Sequence, residues 1–367
     1  MEDRLKMYRR YCRACFDGHG TEKPHLIKPK IHGTKDGKVT KQQGREIKKD
    51  GRNPLGAALV IISSLILFGE SAQGAEKNYT AVFEKAFDMT MPPAWNQSYP
   101  ATQIIGNLYD VGGYDLSSFL ITSDAGHILI NTGLEGSAAM IESNLESLGL
   151  RMADVEILLT TQAHFDHTAD LALIKKQTGA RLLATESDKR VLEDGGFSDP
   201  LIGGIESFHP VIVDDVITDG EIITLGDIRL RVLEHPGHTE GSVSYAMTVK
   251  DADESYDVLI VNMAYINEGV NVGIKPTYHG IADDFAKTFQ SQRALRPDIW
   301  VSSHKSAYGF HNKHVMGGPY DPKAFYDPEG YLRAIQQHEL AFINKIYAEL
   351  LQHTTNDPQT KKPMNSP

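Results

Sequence analysis

Cysteine is almost absent from the sequence, and its absence excludes several classes of protein. The 367 residues include two cysteines, Cys12 and Cys15, which both lie near the amino terminus. The rest of the chain therefore has no disulfide framework and no thiolate ligand for a metal. The Cys12-X-X-Cys15 pair with His19 lacks a second pair of ligands, which disfavours a zinc site in this segment.

Basic residues are scarce beyond residue 54. Residues 1–54 contain 15 Lys or Arg and 7 Asp or Glu, whereas the remaining residues contain 22 and 41. The excess of acidic residues after residue 54 disfavours binding to the phosphate backbone of nucleic acids. Because residues 1–54 show no sustained hydrophobic period, we predict a basic, disordered extension and expect the true translation start to lie downstream of it.

The sequence also has no apolar run of the length that spans a bilayer. Residues 55–68 form an uncharged run of 14 residues, whereas a spanning helix needs about 20. Basic residues precede this run and small residues follow it up to Gly74, which is typical of a secretory signal peptide. We therefore predict a signal peptide at 55–74 and a mature domain at 75–367 that is periplasmic or secreted, with no stable membrane anchor. An uncleaved anchor is the alternative interpretation.

A cluster of polar residues directly follows a predicted strand. Val155–Thr161 is β-branched and leucine-rich, which predicts a strand that is buried on both faces. Residues 168–178 have helical spacing with Thr168 as a plausible N-cap. The loop between strand and helix, at an edge where α/β sheets bind ligands, carries Gln162, His164, Asp166 and His167. These side chains suit two adjacent metal ions, since zinc prefers imidazole and carboxylate ligands.

Two further histidines stand just after predicted strands. His238 follows the strand Ile228–Leu233, and His304 follows the strand Ile299–Val301. Each histidine therefore lies at the end of an apolar β segment, as the cluster after residue 161 does. Three such positions in a chain of alternating strands and helices weaken the alternative that the cluster is merely a polar surface loop.

Several long motifs resemble the metallo-β-lactamase superfamily over about residues 103–346, and most closely the third subclass of class B (zinc) β-lactamases. The motifs are GGYDLSSFLI at 112–121, GHILINTGL at 126–134, PGHTEGS at 236–242 and FYDPEGY at 325–331. The resemblance implies an α/β (α+β) fold, a four-layer αββα sandwich with metals at one open edge. Because no cysteine lies in the folded part, the subclasses with a cysteine ligand are excluded. In this family an irregular segment, here residues 195–210, roofs the site; we call it the roof loop.

The resemblance also implies a set of ligands. Gln162, His164 and His238 would hold the first zinc ion, and Asp166, His167 and His304 the second, so that one or two zinc ions bind per chain. Asp166 would also orient the attacking hydroxide. The family usually has His at the position of Gln162 and Asp at that of Asn131, although a variant branch with a glutamine ligand looks similar at both places.

The implied activity is zinc-dependent hydrolysis of the β-lactam ring of penicillins, cephalosporins or carbapenems by a metal-bound hydroxide. Two alternatives stay open: a metal-dependent hydrolase of a lactone, thioester or phosphodiester, and a catalytically idle metal-binding or partner-binding protein. Against the first alternative, the bridging Asp that those hydrolases carry is missing near Asn262. In either enzymatic case the partner is a small-molecule substrate, and the sequence leaves the preferred lactam and the oligomeric state undetermined.

Four other histidines are predicted not to be metal ligands. We interpret His127 as a structural strand residue and His209 as the start of a strand at Val211–Val213. His311 and His314 are interpreted as surface residues.

The segment Ile104–Val111 is predicted to form a single strand, because it is apolar and ends at the glycine pair 112–113.

Overall fold

Two mixed β-sheets form the centre of the fold. The computed structural model describes residues 45–46, 77–87 and 90–356. The first sheet has the order β2-β3-β4-β5-β6-β7-β8 and the second the order β1-β9-β10-β11-β12-β13. The strands are β1 (Arg45–Glu46), β2 (Thr102–Ile105), β3 (Leu108–Asp110), β4 (Phe119–Ser123), β5 (Gly126–Ile130), β6 (Val155–Leu159), β7 (Arg181–Ala184), β8 (Asp215–Val216), β9 (Ile222–Leu225), β10 (Ile228–Glu234), β11 (Val243–Asp251), β12 (Glu254–Val261) and β13 (Ile299–Ser302).

Helices form the two outer layers, which completes the predicted αββα sandwich. They are α1 (Tyr79–Phe87), α2 (Pro93–Asn96), α3 (Ser137–Ser147), α4 (Phe165–Thr168), α5 (Leu171–Thr178), α6 (Glu186–Glu193), α7 (Ile281–Ala294), α8 (Phe310–Lys313) and α9 (Pro328–Asn356), with 3₁₀ turns at Met152–Asp154 and Lys305–Tyr308. None of the helices in the described ranges is both long enough and apolar enough to cross a bilayer.

Each sheet changes from antiparallel to parallel pairing, and this change brings the site together. Strands β2 to β5 pair antiparallel, whereas β5, β6, β7 and β8 pair parallel. In the second sheet β9 to β12 are antiparallel and β13 joins β12 in parallel. The sheets are tied at one edge, where the N–H of Ser117 donates to the carbonyl of Ser303 and the N–H of Val243 to that of Thr161, both at 2.9 Å. The segments that follow β6, β10 and β13 carry all the candidate ligands.

The first sheet buries its helix-facing side in one large apolar core. Leu129 of β5 and Leu158 of β6 pack there with Ile141 of α3 and Ile174 of α5, and all four side chains are fully buried. Burying each of these side chains contributes about 1.5–3 kcal/mol, so the strand that ends at the site is firmly held.

Three local predictions were wrong. Thr168 does not cap a helix: it ends the single turn α4, where its Oγ1 donates to the carbonyl of His164 at 2.8 Å, and α5 starts at Leu171 after the cap Asp170. The predicted strand Ile104–Val111 is a hairpin of β2 and β3, because Gly106 turns with a φ of +48°. Residues 211–213 form no strand, and the next strand is β8.

The predicted extension and signal peptide fall almost entirely outside the described residues. Within 1–74 the structure describes the two-residue strand β1, whose Arg45 and Glu46 pair in parallel with β9. The cysteine pair at 12 and 15 and the run 55–68 are not among the described residues. The boundaries at 54 and 74 therefore stay predictions.

Candidate active site

Asp166, His167 and His304 form the tightest group of candidate ligands. Their ligand atoms all lie within 4.8 Å of one another. The single turn α4 places Asp166 and His167 directly after the loop that follows β6, and His304 directly follows β13. The three residues that were predicted to share the second metal position are therefore together.

One carboxylate oxygen lies at the centre of this group. Oδ2 of Asp166 lies 3.2 Å from Nε2 of His167 and 3.4 Å from Nε2 of His304. Both ring nitrogens of His167 are buried, and neither has a hydrogen-bond partner among the described residues. Buried polar atoms are normally satisfied, so an imidazole in this state fits a metal ligand. The donor set of one carboxylate and two imidazoles suits zinc.

Burial and the neighbouring charges have opposing effects on the pKa values of this group. Burial alone would raise the pKa of Asp166, but His167 and His304 lower it below its usual range, so the carboxylate stays ionised. Burial lowers the pKa of His167 to about 4, which keeps its imidazole neutral. Burial also disfavours the charged form of His304, but hydrogen bonds to Asp115 and Asp166 outweigh it and raise its pKa to about 9.

Asp115 lies beside the site, although the sequence assigned no role to it beyond its place in the motif at 112–121. Its Oδ2 lies 3.3 Å from Nδ1 of His304, and its Oδ1 accepts from the N–H of Ser306 at 2.8 Å. A carboxylate behind a ligating histidine fixes the ring and its tautomer. The contact directs Nε2 of His304 towards Asp166. The spacing within GGYD carries no signal for this role, because the partner is 189 residues away.

The histidines of the predicted first metal position are also in contact. The rings of His164 and His238 meet edge to face, with centroids 4.9 Å apart. Nδ1 of His238 lies 2.7 Å from the carbonyl oxygen of Tyr265. Because that carbonyl can only accept, Nδ1 carries the proton and Nε2 keeps a lone pair. Enclosure by the protein lowers the pKa of His238 to about 3, so the ring is neutral.

Gln162 meets an amide that was not assigned a role from the sequence. Nδ2 of Asn262 donates to Oε1 of Gln162 at 3.0 Å and to the carbonyl of Thr161 at 2.6 Å. Both side chains are buried. The Oε1 atom has two lone pairs, so one stays available after it accepts from Asn262. Asn262 therefore orients the amide whose oxygen is the candidate ligand.

Asp199 of the roof loop faces His164. Its Oδ2 lies 3.3 Å from Nε2 of His164, and both side chains are buried. Burial disfavours both charges, but the contact between the two groups raises the pKa of His164 and lowers that of Asp199. The sequence placed the roof loop over the site and missed this carboxylate, because nothing in the loop's irregular pattern shows which side chain points inward.

Asn131 lies beneath the site and links the strand ends that carry the ligands. Its Oδ1 accepts from the N–H of Thr161 at 2.9 Å and from Oγ1 of Thr160 at 3.2 Å, and its Nδ2 donates to Oγ of Ser303 at 3.1 Å. Asn131 has a φ of +65°, a conformation that asparagine tolerates better than most residues. The residue holds the ends of β5, β6 and β13 in register.

The remaining histidines have other surroundings. His127 lies in β5 and is buried, which agrees with its interpretation as a strand residue. The ring of His209 packs on Tyr79 with centroids 4.5 Å apart. His311 was predicted to lie on the surface, but it is half-buried and its ring stacks on that of Tyr114, with centroids 4.1 Å apart.

Aromatic side chains surround the candidate ligands. The ring of Trp95 lies 5.3 Å from that of His304, and the ring of Tyr265 lies 6.3 Å from that of His238. Tyr265 is 54 % exposed, and Phe197 of the roof loop is 56 % exposed. Large aromatic side chains left in solvent beside a polar centre are typical of a site that accepts an organic ligand.

Comparisons with known proteins agree with this architecture. A sequence profile described as the metallo-beta-lactamase superfamily matches residues 111–304. The fold is similar to the class B3 di-zinc metallo-beta-lactamase LRA-12 from an Alaskan soil metagenome, with 42 % identity, a TM-score of 0.68, and coverage of 70 % of this chain and 98 % of that one. It is also similar to the metallo-beta-lactamase GOB-18 from Elizabethkingia meningoseptica, with 42 % identity, a TM-score of 0.69, and coverage of 71 % and 96 %.

The chain is also similar in sequence to hydrolases that are not described as β-lactamases. A hydroxyacylglutathione hydrolase from Bradyrhizobium sp. (strain ORS 278) is 28 % identical over 149 residues, which cover 38 % of this chain and 49 % of the relative. The chain thus spans about half the length of that relative, whereas it spans nearly all of LRA-12 and GOB-18.

Proposed function

Because the chain belongs to the metallo-beta-lactamase superfamily, we propose that it is a zinc-dependent β-lactamase that hydrolyses the lactam ring of antibiotics. Gln162, His164 and His238 are proposed as ligands of a first zinc ion, and Asp166, His167 and His304 as ligands of a second. The proposed location is the periplasm or the cell exterior, on the basis of the apolar segment 55–68. The membership supports a metal-dependent hydrolase, and the lactam is the specific part of the proposal.

The neutral amide of Asn262 is the observation that carries the choice of substrate. In the branches of the superfamily that hydrolyse thioesters, lactones or nucleic acids, an aspartate near this position bridges both metals. Here Asn262 donates to Gln162 and to the backbone of Thr161. An amide that donates in this direction is not available as a bridging anion. The site therefore lacks a requirement of the competing hydrolases.

The side chains of the site have distinct tasks in lactam opening. A zinc ion held by these ligands would lower the pKa of a bound water to about 7 and so would supply the attacking hydroxide. Asp166 stays ionised, and its Oδ2 already contacts two imidazoles. Its Oδ1 is proposed to accept a hydrogen bond from the attacking hydroxide and so to orient it. Trp95, Phe197 and Tyr265 are proposed to hold the apolar parts of the substrate.

A thioester hydrolase is the second candidate, and a specific observation favours it. The hydroxyacylglutathione hydrolase relative shares 28 % identity with this chain over part of its length. Metal ligands of the same kinds serve hydrolysis of thioesters as well as of lactams. This candidate needs a bridging anion from a source other than position 262.

A substrate panel with metal analysis tests the proposal. The zinc-loaded protein is assayed with a chromogenic cephalosporin, a glutathione thioester, a lactone and a phosphodiester, with the variant His167→Ala as the metal-site control. We expect turnover of the cephalosporin, its loss on chelation, its recovery with zinc, and no effect of serine-directed lactam inhibitors. Hydrolysis of the thioester in preference to every lactam, or lactam turnover that survives complete removal of metal, would overturn the proposal.

A further inference from the structure

The backbone of the roof loop fixes the position of Asp199. Oδ1 of Asp199 accepts from the backbone N–H groups of Leu201 and Ile202, both at 2.8 Å. Its backbone carbonyl accepts from the N–H of Gly203 at 3.0 Å, and its own N–H donates to the carbonyl of Gly196 at 3.1 Å. These four hydrogen bonds therefore leave Oδ2 as the atom of this residue that can contact another part of the protein.

Oδ2 is directed at one nitrogen of His164. The distance to Nε2 is 3.3 Å, and Asp199 and His164 are 8 % and 5 % exposed. A carboxylate only accepts hydrogen bonds, so a neutral imidazole in this place carries its proton on Nε2. Nδ1 then keeps the lone pair that a metal ligand requires, because the hydrogen bond of one ring nitrogen sets the state of the other.

We propose that Asp199 is a positioning residue that holds His164 in the Nε2–H tautomer, so that the roof loop and the first metal position form one coupled unit. The inference rests on the proposed function only in taking His164 as a metal ligand. The coupling matters more here than where three imidazoles hold a metal, because the amide oxygen of Gln162 is a weaker and neutral donor. The affinity of the first metal position for zinc therefore depends more strongly on the orientation of His164.

The coupling has a reciprocal consequence. If an ordered roof loop increases the affinity for the first metal ion, then binding of that ion must stabilise the loop by the same free energy. Phe197, which is proposed to contact the substrate, lies in the same loop, two residues from Asp199, and is 56 % exposed. Loading of the first metal position would therefore also restrict the wall that a substrate contacts.

Two substitutions separate a tautomer role from a merely structural one. In Asp199→Asn the remaining oxygen keeps the N–H groups of Leu201 and Ile202, and the new amide donates to Nε2 of His164. The proton of the ring then moves to Nδ1, which can no longer bind metal. In Asp199→Ala the loop loses the two hydrogen bonds that Oδ1 accepts, but no donor forces the ring into the wrong tautomer. Asp194→Asn is the matched control, since Asp194 accepts from Ser198 at 3.2 Å in the same region.

The test combines nitrogen NMR of the metal-free protein at pH 8 with competition between the protein and a zinc chelator. We expect His164 to carry its proton on Nε2 in the unsubstituted protein and on Nδ1 in Asp199→Asn. Loss of an outer partner of a ligand typically costs 10–100-fold in metal affinity. We therefore expect the first-site affinity to fall about 100-fold in Asp199→Asn and about 10-fold in Asp199→Ala, with no change in Asp194→Asn. Thermal stability should show the opposite order, with Asp199→Ala the less stable.

Hydrogen exchange over residues 195–205 completes the test. Zinc should slow exchange there in the unsubstituted protein and in Asp194→Asn but not in Asp199→Asn. An unchanged tautomer in Asp199→Asn, or a larger loss of affinity in Asp199→Ala, would overturn the inference. None of these measurements uses a lactam, so a tautomer change without lactam hydrolysis would overturn the proposed function alone.

Discussion

Asn131 offers a direct test of how the site edge is held together. Replacement by alanine removes the acceptor for the buried N–H of Thr161 and the donor to Ser303. An orphaned buried donor costs about 1–3 kcal/mol, and alanine at a positive φ adds roughly 1 kcal/mol. We therefore expect Asn131→Ala to lower the free energy of unfolding by about 3 kcal/mol, which corresponds to a fall in Tm of roughly 5 °C for a domain of this size.

Two companion substitutions divide this loss into its parts. Asn131→Gly removes the same hydrogen bonds without the backbone strain, so it should be about 1 kcal/mol more stable than Asn131→Ala. Asn131→Asp keeps the acceptor for Thr161, and its second oxygen can accept from the hydroxyl of Ser303, so it should stay within about 1 kcal/mol of the unsubstituted protein. Urea unfolding of the metal-free proteins, followed by tryptophan fluorescence, measures all three. A loss below about 0.5 kcal/mol in Asn131→Ala would refute the reasoning.

Three further predictions follow from buried polar groups. Gln162→His should raise the zinc content at limiting free zinc, because imidazole is a stronger donor than an amide; equal and full occupancy of both sites in the unsubstituted protein would contradict this. Nζ of Lys305 lies 3.1 Å from Oδ1 of Asp110, both fully buried; Lys305→Met should destabilise the protein by about 3–5 kcal/mol in urea unfolding. Adding Asp110→Leu should recover only part of the loss, because it removes the unpaired carboxylate but also the acceptor for the buried N–H of Gly112. Burial raises the pKa of Asp188 to about 7 from 3.8, so the folded state holds a proton that the unfolded chain releases, and the stability of the metal-free protein falls from this source as the pH rises from about 4 to 7. Asp188→Asn should gain stability relative to the unsubstituted protein between pH 5 and pH 7, and a constant difference would contradict the assignment.

The sequence predicted the strands and the grouping of Asp166, His167 and His304 because both leave local signals. The apolar run before Gln162 and the histidines after two other strands were visible as patterns of a few residues. The structure confirms the strand ends, apart from shifts of a few residues, and brings Asp166, His167 and His304 together as expected. Periodicity failed where the backbone of one residue decides the geometry, as at Gly106, whose turn divides a predicted strand in two.

The partners behind the ligands could not be predicted, since they come from distant parts of the chain. Asp115 reaches His304 across 189 residues, and Asn262 reaches Gln162 across 100. No local period marks such a contact, and each of these residue types is common in loops. Asp199 illustrates the same limit at shorter range, because the irregular roof loop gives no indication of which side chain turns inward.

The residues that contact the candidate ligands come from different segments of the chain than the ligands themselves. The candidate ligands lie in the segments that follow β6, β10 and β13, whereas their partners come from other segments: Asp115 before β4, Asp199 in the roof loop, and Asn262 and Tyr265 after β12. Each partner fixes the proton or the amide orientation of one ligand. Changes in these loops can therefore alter metal affinity while every ligand is kept. Two chains with the same ligands need not hold the same number of metal ions, because the affinity of each position also depends on loops that contact the substrate.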